Sequence, residues 1–151
     1  MSMNPQDGSR PTVVLVHGAF ADGSSWNDVI ERLQAEGIKV TAPANPLRGI
    51  SIDSAYMGSL LDQIPGPVIA VGHSYGGAVI IIAATNVDNV VDLVYVAAFA
   101  PDEGERLAEI EDDSKDSVLN TALMQLQYPT GEGEETAAPS YWLVGVRAWC
   151  R

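Results

Sequence analysis

The sequence predicts an α/β fold whose sheet is mainly parallel with helices on both faces, and three observations carry that prediction. Short apolar, β-branched runs recur through the front of the chain, at Thr12–Val16, Ile38–Ala42, Val68–Val71 and Val90–Val96. Segments with helical spacing separate them, so strand and helix alternate. Two of the runs stop at glycine-containing turns, His17-Gly18 and Gly72-His73-Ser74-Tyr75-Gly76. Strands that alternate with helices are joined by right-handed crossovers, and such connections lay them parallel.

Taken in order, Thr12–Val16 is continuously aliphatic or β-branched, as a strand buried on both faces is. Ser24 and Ser25 offer N-caps to a helix whose Trp26, Val29, Ile30 and Leu33 share a face and whose end is marked by Gly37. Ile38–Ala42 is the next strand. A turn-rich loop, Pro43 to Gly49, leads into a helix placing Tyr56, Leu60, Leu61 and Ile64 on one side, and Pro65-Gly66-Pro67 breaks it. Val68–Val71 is the third strand. Gly76 to Ala84 reads as a helix that is apolar all round and therefore central. Val90–Val96 closes a four-stranded sheet in which the strand ending at Val71 is central, Ile38–Ala42 is outermost on one side and Val90–Val96 is last on the other.

Beyond Pro101 the pattern weakens. Val118 to Leu126 is a modest helical candidate and Ser140 to Val146 a last short strand. The run from Asp102 to Asp116 concentrates acid, with Asp102, Glu103, Glu105, Glu109, Glu111, Asp112, Asp113 and Asp116. It lacks the spacing and turn glycine of a calcium loop, so it reads as a solvated insertion, with no metal. The chain of 151 residues is 46% hydrophobic and 19% charged, the composition of one globular domain. A net charge of −12 with only 8 Lys and Arg argues against nucleic acid and anionic membrane surfaces as partners. Cys150, the single cysteine, allows no internal disulfide. The opening Met1 to Gly8 has neither a basic start nor an apolar stretch, and no run approaches a membrane span, so a cytoplasmic location is expected.

Chemistry is concentrated in two turns. Gly72-His73-Ser74-Tyr75-Gly76 is a G-x-S-x-G motif set between an apolar strand and an apolar helix, where a tight turn projects a serine from the carboxyl end of the sheet. Glycines two before and two after Ser74 suit the crowding of such a turn. His17-Gly18-Ala19-Phe20 ends the first strand where the second half of an oxyanion hole is built. One backbone N–H is expected from Tyr75 and one from Ala19, with His17, Gly18, Phe20, Gly72, His73 and Gly76 supporting the loops. The imidazole of His17 is read as a buried brace for its loop.

Together, Val14-Leu15-Val16-His17-Gly18-Ala19-Phe20, Ser25-Trp26, Val71-Gly72-His73-Ser74-Tyr75-Gly76-Gly77 and Val94-Tyr95-Val96-Ala97-Ala98-Phe99-Ala100-Pro101 resemble the α/β-hydrolase superfamily, in its small esterase and hydroxynitrile-lyase-like branch. The resemblance is specific to about Pro101. It implies Ser74 as the nucleophile of acyl transfer on a small ester or related carbonyl substrate, without a cofactor. It also divides the chain into a disordered leader (1–11), a partial hydrolase core (12–100) and an acidic, lid-like segment with a divergent tail (101–151). Family members carry an acid and a histidine after two later strands, in the order Ser, acid, His. Neither position occurs here, since His17 and His73 are the only histidines and both lie inside the motifs. A C-terminally truncated member, inactive alone and self-associating through an unpaired sheet edge, is therefore expected. A dinucleotide-binding oxidoreductase is disfavoured, because Gly18 and Gly23 do not make G-x-G-x-x-G and no acid closes the strand at Ala42. The competing class is a catalytically dead fragment or pseudoenzyme that binds a small ligand or a partner.

Overall fold

The computed structural model describes residues 10–113, 115, 123–125 and 142–144. Four strands form the main sheet in the order β2-β1-β3-β4, where β1 is Thr12–Val16, β2 Val40–Thr41, β3 Val68–Ser74 and β4 Val90–Ala98. All three pairings are parallel, and β1 runs in register with β3 from Thr12 opposite Val68 to Val16 opposite Gly72. This is the order the sequence predicts. The chain leaves β1 towards β2, then crosses back over β1 to reach β3, so the connecting helices lie on opposite faces.

Alternation along the strands builds a core on each face. On one, Val14, Val16, Val68 and Ala70 pack with Met57 and Leu61 of α2 (Ile50–Asp62) and with Val79, Ile80 and Ala83 of α3 (Tyr75–Ala83). On the other, Val13, Leu15 and Val71 pack with Trp26, and Ile30 and Leu33 of α1 (Asn27–Ala35) close over them. Helices on both faces follow from this division.

Several elements differ from their sequence reading. The first helical turn is a 3-10 turn, Gly23–Trp26, capped by Asp22, whose carboxylate accepts from Ser24 N at 2.8 Å. Ser24 and Ser25 therefore lie inside the turn, and Ser25 Oγ donates to the Asp22 carbonyl at 2.7 Å. Val29 is 38% exposed and does not share the inner face. The second strand shortens because Ile38 N is committed to the end of α1. Gly37 takes a positive φ of 72°, its N–H bonds to Gln34 O at 2.9 Å, and Ile38 N bonds to Leu33 O at 3.0 Å. On α2 the buried residues are Asp53, Ser54, Met57 and Leu61, while Tyr56 faces out. Leu60, Leu61 and Ile64 pack on the core as the sequence predicts, and Tyr56 departs because the hydrogen-bonded Asp53 occupies a core position. α3 is buried at Gly76, Gly77, Ala78, Val79, Ile80 and Ala83 but exposes Ile82, so it is covered on most of its circumference.

In the acidic run, α4 (Leu107–Asp112) forms one short helix with an exposed Arg106–Glu109 ion pair at 3.6 Å. Leu123–Gln125 is a strand, β5, paired antiparallel with β6 (Trp142–Val144). A helix across those three residues is thereby overturned, since pairing with a partner about twenty residues away outweighs local propensity. The remainder of that helical candidate, the ends of the strand expected over Ser140 to Val146, most of the leader and Cys150 lie outside the described residues.

Candidate active site at the carboxyl ends of the inner strands

In an open parallel sheet, ligands bind beyond the carboxyl ends of the strands where the chain reverses its direction of travel across the sheet. Here that point lies between β1 and β3. The residues at the two strand ends are His17-Gly18 and Ser74, so topology alone brings the two sequence motifs to one crevice.

Ser74 is the last residue of β3 and directly precedes α3, with φ 52° and ψ −123°. This backbone conformation is sparsely populated for a side-chain-bearing residue and is held by its surroundings. Close packing explains the flanking glycines. A Cβ on Gly72 would stand 2.6 Å from the Gly76 carbonyl carbon, and one on Gly76 would strike the Val16 carbonyl oxygen. The turn thus closes onto itself and onto the end of β1. No side chain caps the N-terminus of α3, so its first N–H groups are left to the crevice.

The β1 loop approaches the serine directly. A Cβ on Gly18 would stand 2.9 Å from Ser74 Cβ, a contact only glycine avoids. His17 is buried, and its Nε2 accepts from Asn45 N at 2.9 Å. The ring proton therefore sits on Nδ1, which donates to Gly18 O at 2.8 Å. Asn45 Nδ2 returns a bond to His17 O at 3.3 Å.

These bonds orient two peptide groups. All described peptides are trans, and in a planar trans unit the C=O and N–H point to opposite sides. Fixing Gly18 O towards His17 turns Ala19 N–H the other way. Likewise Ser74 O accepts from Phe99 N at 3.1 Å, which turns Tyr75 N–H away from β4. The second bond depends on a bulge: the register of β3 and β4 shifts between His73 and Ser74, and Ala97 takes φ 43°. That extra residue carries Phe99 N to the serine carbonyl.

The remaining sequence-selected residues are placed as follows. His73 packs its ring edge-on against Trp26, centroids 6.2 Å apart, on the α1 face. Among the described residues neither its ring nor the Ser74 hydroxyl has a hydrogen-bond partner. Phe20, next in the β1 loop, is 38% exposed. Both ring nitrogens of His17 are engaged, and neither histidine is joined to Ser74. Sequence reasoning missed Asn45, the Phe99 main chain and Asp53. Asp53 is fully buried and accepts from Tyr75 Oη at 2.7 Å and from Arg48 N at 2.8 Å. Burial, then the Asp53 hydrogen bond and charge, raise the Tyr75 phenol well above its ordinary value. A polar residue inside an otherwise apolar helix face is the signal that would have singled out Asp53.

Among the described residues no group of three or more His, Cys, Asp or Glu is disposed to hold a metal ion, and no helix is long and apolar enough to cross a membrane. A hollow of about 460 Å³ lies on the α2 flank, lined by Thr41, Tyr56, Ser59, Leu60, Gln63 and Ile64, none of them from the elbow or the β1 loop.

Residues 13–149 match the profile described as the alpha/beta hydrolase family. The chain is 33% identical over 107 residues to the carbendazim hydrolyzing esterase of Nocardioides sp. (strain SG-4G), covering 62% of this chain and 44% of that protein. It is 32% identical over 111 residues to Lipase LipV of Mycobacterium tuberculosis (strain ATCC 25618 / H37Rv), covering 66% and 42%. An extracellular alpha/beta-hydrolase from a Paenibacillus species superposes with a TM-score of 0.60 at 28% identity, covering 66% of this chain and 45% of that one. The match thus spans less than half the length of these relatives. A profile match over most of the chain, a parallel sheet of the same architecture and a strained serine turn after its inner strand converge on one conclusion: the chain belongs to the alpha/beta hydrolase family.

Proposed function

We propose that Ser74 is the nucleophile of a serine esterase acting on a small ester or related carbonyl substrate, with Ala19 N–H and Tyr75 N–H as the oxyanion hole. The observation that carries this reading is the juxtaposition of the two motifs: Gly18 lies against Ser74, and the peptides bearing the two donors are each held through their carbonyls. Donors fixed before the reaction stabilise developing charge without reorganisation, and one such donor is typically worth about 100- to 1000-fold in rate. Esterase and lipase relatives support the substrate class.

By itself this chain turns over little. A serine hydroxyl at neutral pH needs a base within about 3 Å. His17 has both nitrogens engaged and His73 lies against Trp26. In a comparable serine hydrolase, loss of the base lowers turnover by roughly a million-fold. The same lack of a base favours a second reading, a pseudoenzyme that binds a ligand or partner in the crevice. A chain extended at its C-terminus with the remainder of the carbendazim hydrolyzing esterase separates the two. Ester hydrolysis that appears on extension and vanishes with Ser74→Ala supports the esterase, whereas a folded but silent extended chain supports the binding role.

A further inference from the structure

We infer that Asp53 is a positioning residue for the oxyanion hole, acting through the side chain of Tyr75; this rests on the reading of Ser74 and Tyr75 just given. Tyr75 has two functions in one residue. Its N–H is the donor that follows the nucleophile, and its phenol reaches Asp53 Oδ2 at 2.7 Å, from the start of α3 to the first turn of α2. Nothing in helix packing requires a carboxylate at position 53. The neighbouring inward positions of α2 are Met57 and Leu61, and both are fully buried without polar partners. A buried carboxylate is favourable only when its oxygens are satisfied, and each oxygen here has one main-chain or phenol donor.

The partners of Asp53 show what it holds. Oδ1 takes Arg48 N, closing the loop that enters α2, and Asp53 N itself bonds to Gly49 O at 2.9 Å. The carboxylate is therefore fixed from its own element before it meets Tyr75. Tyr75 is then held at three points: its preceding carbonyl by Phe99 N, its helix by the close packing of Gly76, and its phenol by Asp53. The first two set the plane of the Ser74–Tyr75 peptide. The third stops the start of α3 from rotating, which would swing Tyr75 N–H off the crevice while leaving the strained Ser74 conformation free to relax.

The test uses the full chain and the variants Asp53→Leu, Asp53→Asn, Tyr75→Phe and Asp53→Leu with Tyr75→Phe. Two signals are read: the rate at which an alkyl fluorophosphonate adds to Ser74, by intact mass with Ser74→Ala as blank, and the ¹⁵N–¹H shift of the Tyr75 amide. Displacement of fluoride by the serine oxygen builds negative charge on the phosphoryl oxygen, so the rate reports the hole. Asp53→Leu and Tyr75→Phe each slow labelling by about 10- to 100-fold and move the Tyr75 amide, and the double variant is no slower than either. Asp53→Asn, which still offers an oxygen to the phenol, restores most of the rate. Equal effects of Asp53→Leu with Tyr or Phe at position 75 would overturn the inference, since Asp53 would then act only through Arg48 and the fold. Should Asp53→Leu fail to fold, Tyr75→Phe alone decides: an unmoved Ser74–Tyr75 amide signal and an unchanged rate overturn it. If the parent labels too slowly to follow, as a serine without a base is expected to, the Tyr75 amide alone decides: a signal that Asp53→Leu leaves unmoved overturns the inference, and the nucleophile reading is judged separately by labelling of the C-terminally extended chain.

Discussion

Ser74 has a positive φ, and the strain is sustained by glycines that admit backbone where a side chain cannot go. Gly76→Ala should therefore cost stability although alanine is the better helix former. Its Cβ meets the Val16 carbonyl, part of a paired strand that cannot give way as a flexible side chain can. Overpacking of this kind costs about 1–3 kcal/mol, which a urea midpoint measures. Tyr75 gives a second residue-scale expectation. Its phenol is held neutral in the folded chain by burial, then by Asp53. The folded state keeps a proton that the unfolded chain releases above about 10. Tyr75 thus contributes fully below that pH and loses its contribution as pH rises through and beyond it. Stability should fall with alkali, and Tyr75→Phe should flatten that slope without abolishing it, because burial also raises Tyr95. Denaturant melts between neutral and strongly alkaline pH check this. The serine and the glycines around it were legible because the motif is local. The groups that hold it were not: Phe99 acts through its main chain, and Asn45 lies 28 residues from His17 in sequence.

At the scale of elements, apolar content located the strands and misplaced some helix faces. β1 and the first four residues of β3 read correctly because both their faces are covered, so residues 13–16 and 68–71 are all apolar and no choice of face arises; β3 continues to Ser74, past the expected end at Val71. α2 misled for the opposite reason. Asp53 and Ser54 sit inward, and an apolar count that skips them adds Tyr56 to the correctly placed Leu60, Leu61 and Ile64. Leu61, at the middle of the true face and fully buried, gives the check: Leu61→Ala should lose about 2–5 kcal/mol, whereas Tyr56→Ala on the exposed side should change the thermal midpoint little. The start of the 3-10 turn that leads into α1 was legible in principle, because Asp22-Gly23-Ser24-Ser25 offers three possible caps. Only geometry shows that Asp22, whose carboxyl is held below its usual range by Ser24, is the one used. β5 could not be read from its own residues, since its strand state depends on pairing with Trp142–Val144.

For the whole molecule, the sheet ends at β4, and β4 has no neighbour on its outer side among the described residues. Val91 is 61% exposed and Val94, Tyr95 and Val96 are between 36% and 42% exposed, on a strand whose only charge is Asp92. Such an edge is a template for pairing. Two copies meeting antiparallel across a two-fold axis near Tyr95 would set no like charges opposite one another. Self-association at micromolar concentration is expected despite the net charge of −12, most of which lies elsewhere. Light scattering that reports a monodisperse monomer, with a sharp melt, would contradict it. The same edge marks the bulge on which the Phe99–Ser74 bond depends, so what covers β4 bears on the candidate site as well as on solubility. The most direct measurement is steady-state hydrolysis of a short-chain p-nitrophenyl ester by the parent chain and by Ser74→Ala, both at neutral pH. Rates that coincide agree with a nucleophile and oxyanion hole set in place without a base. Turnover by the parent that disappears with Ser74→Ala would mean that a group other than His17 or His73 activates the serine, and the assignment of this chain as a site lacking its base would be wrong.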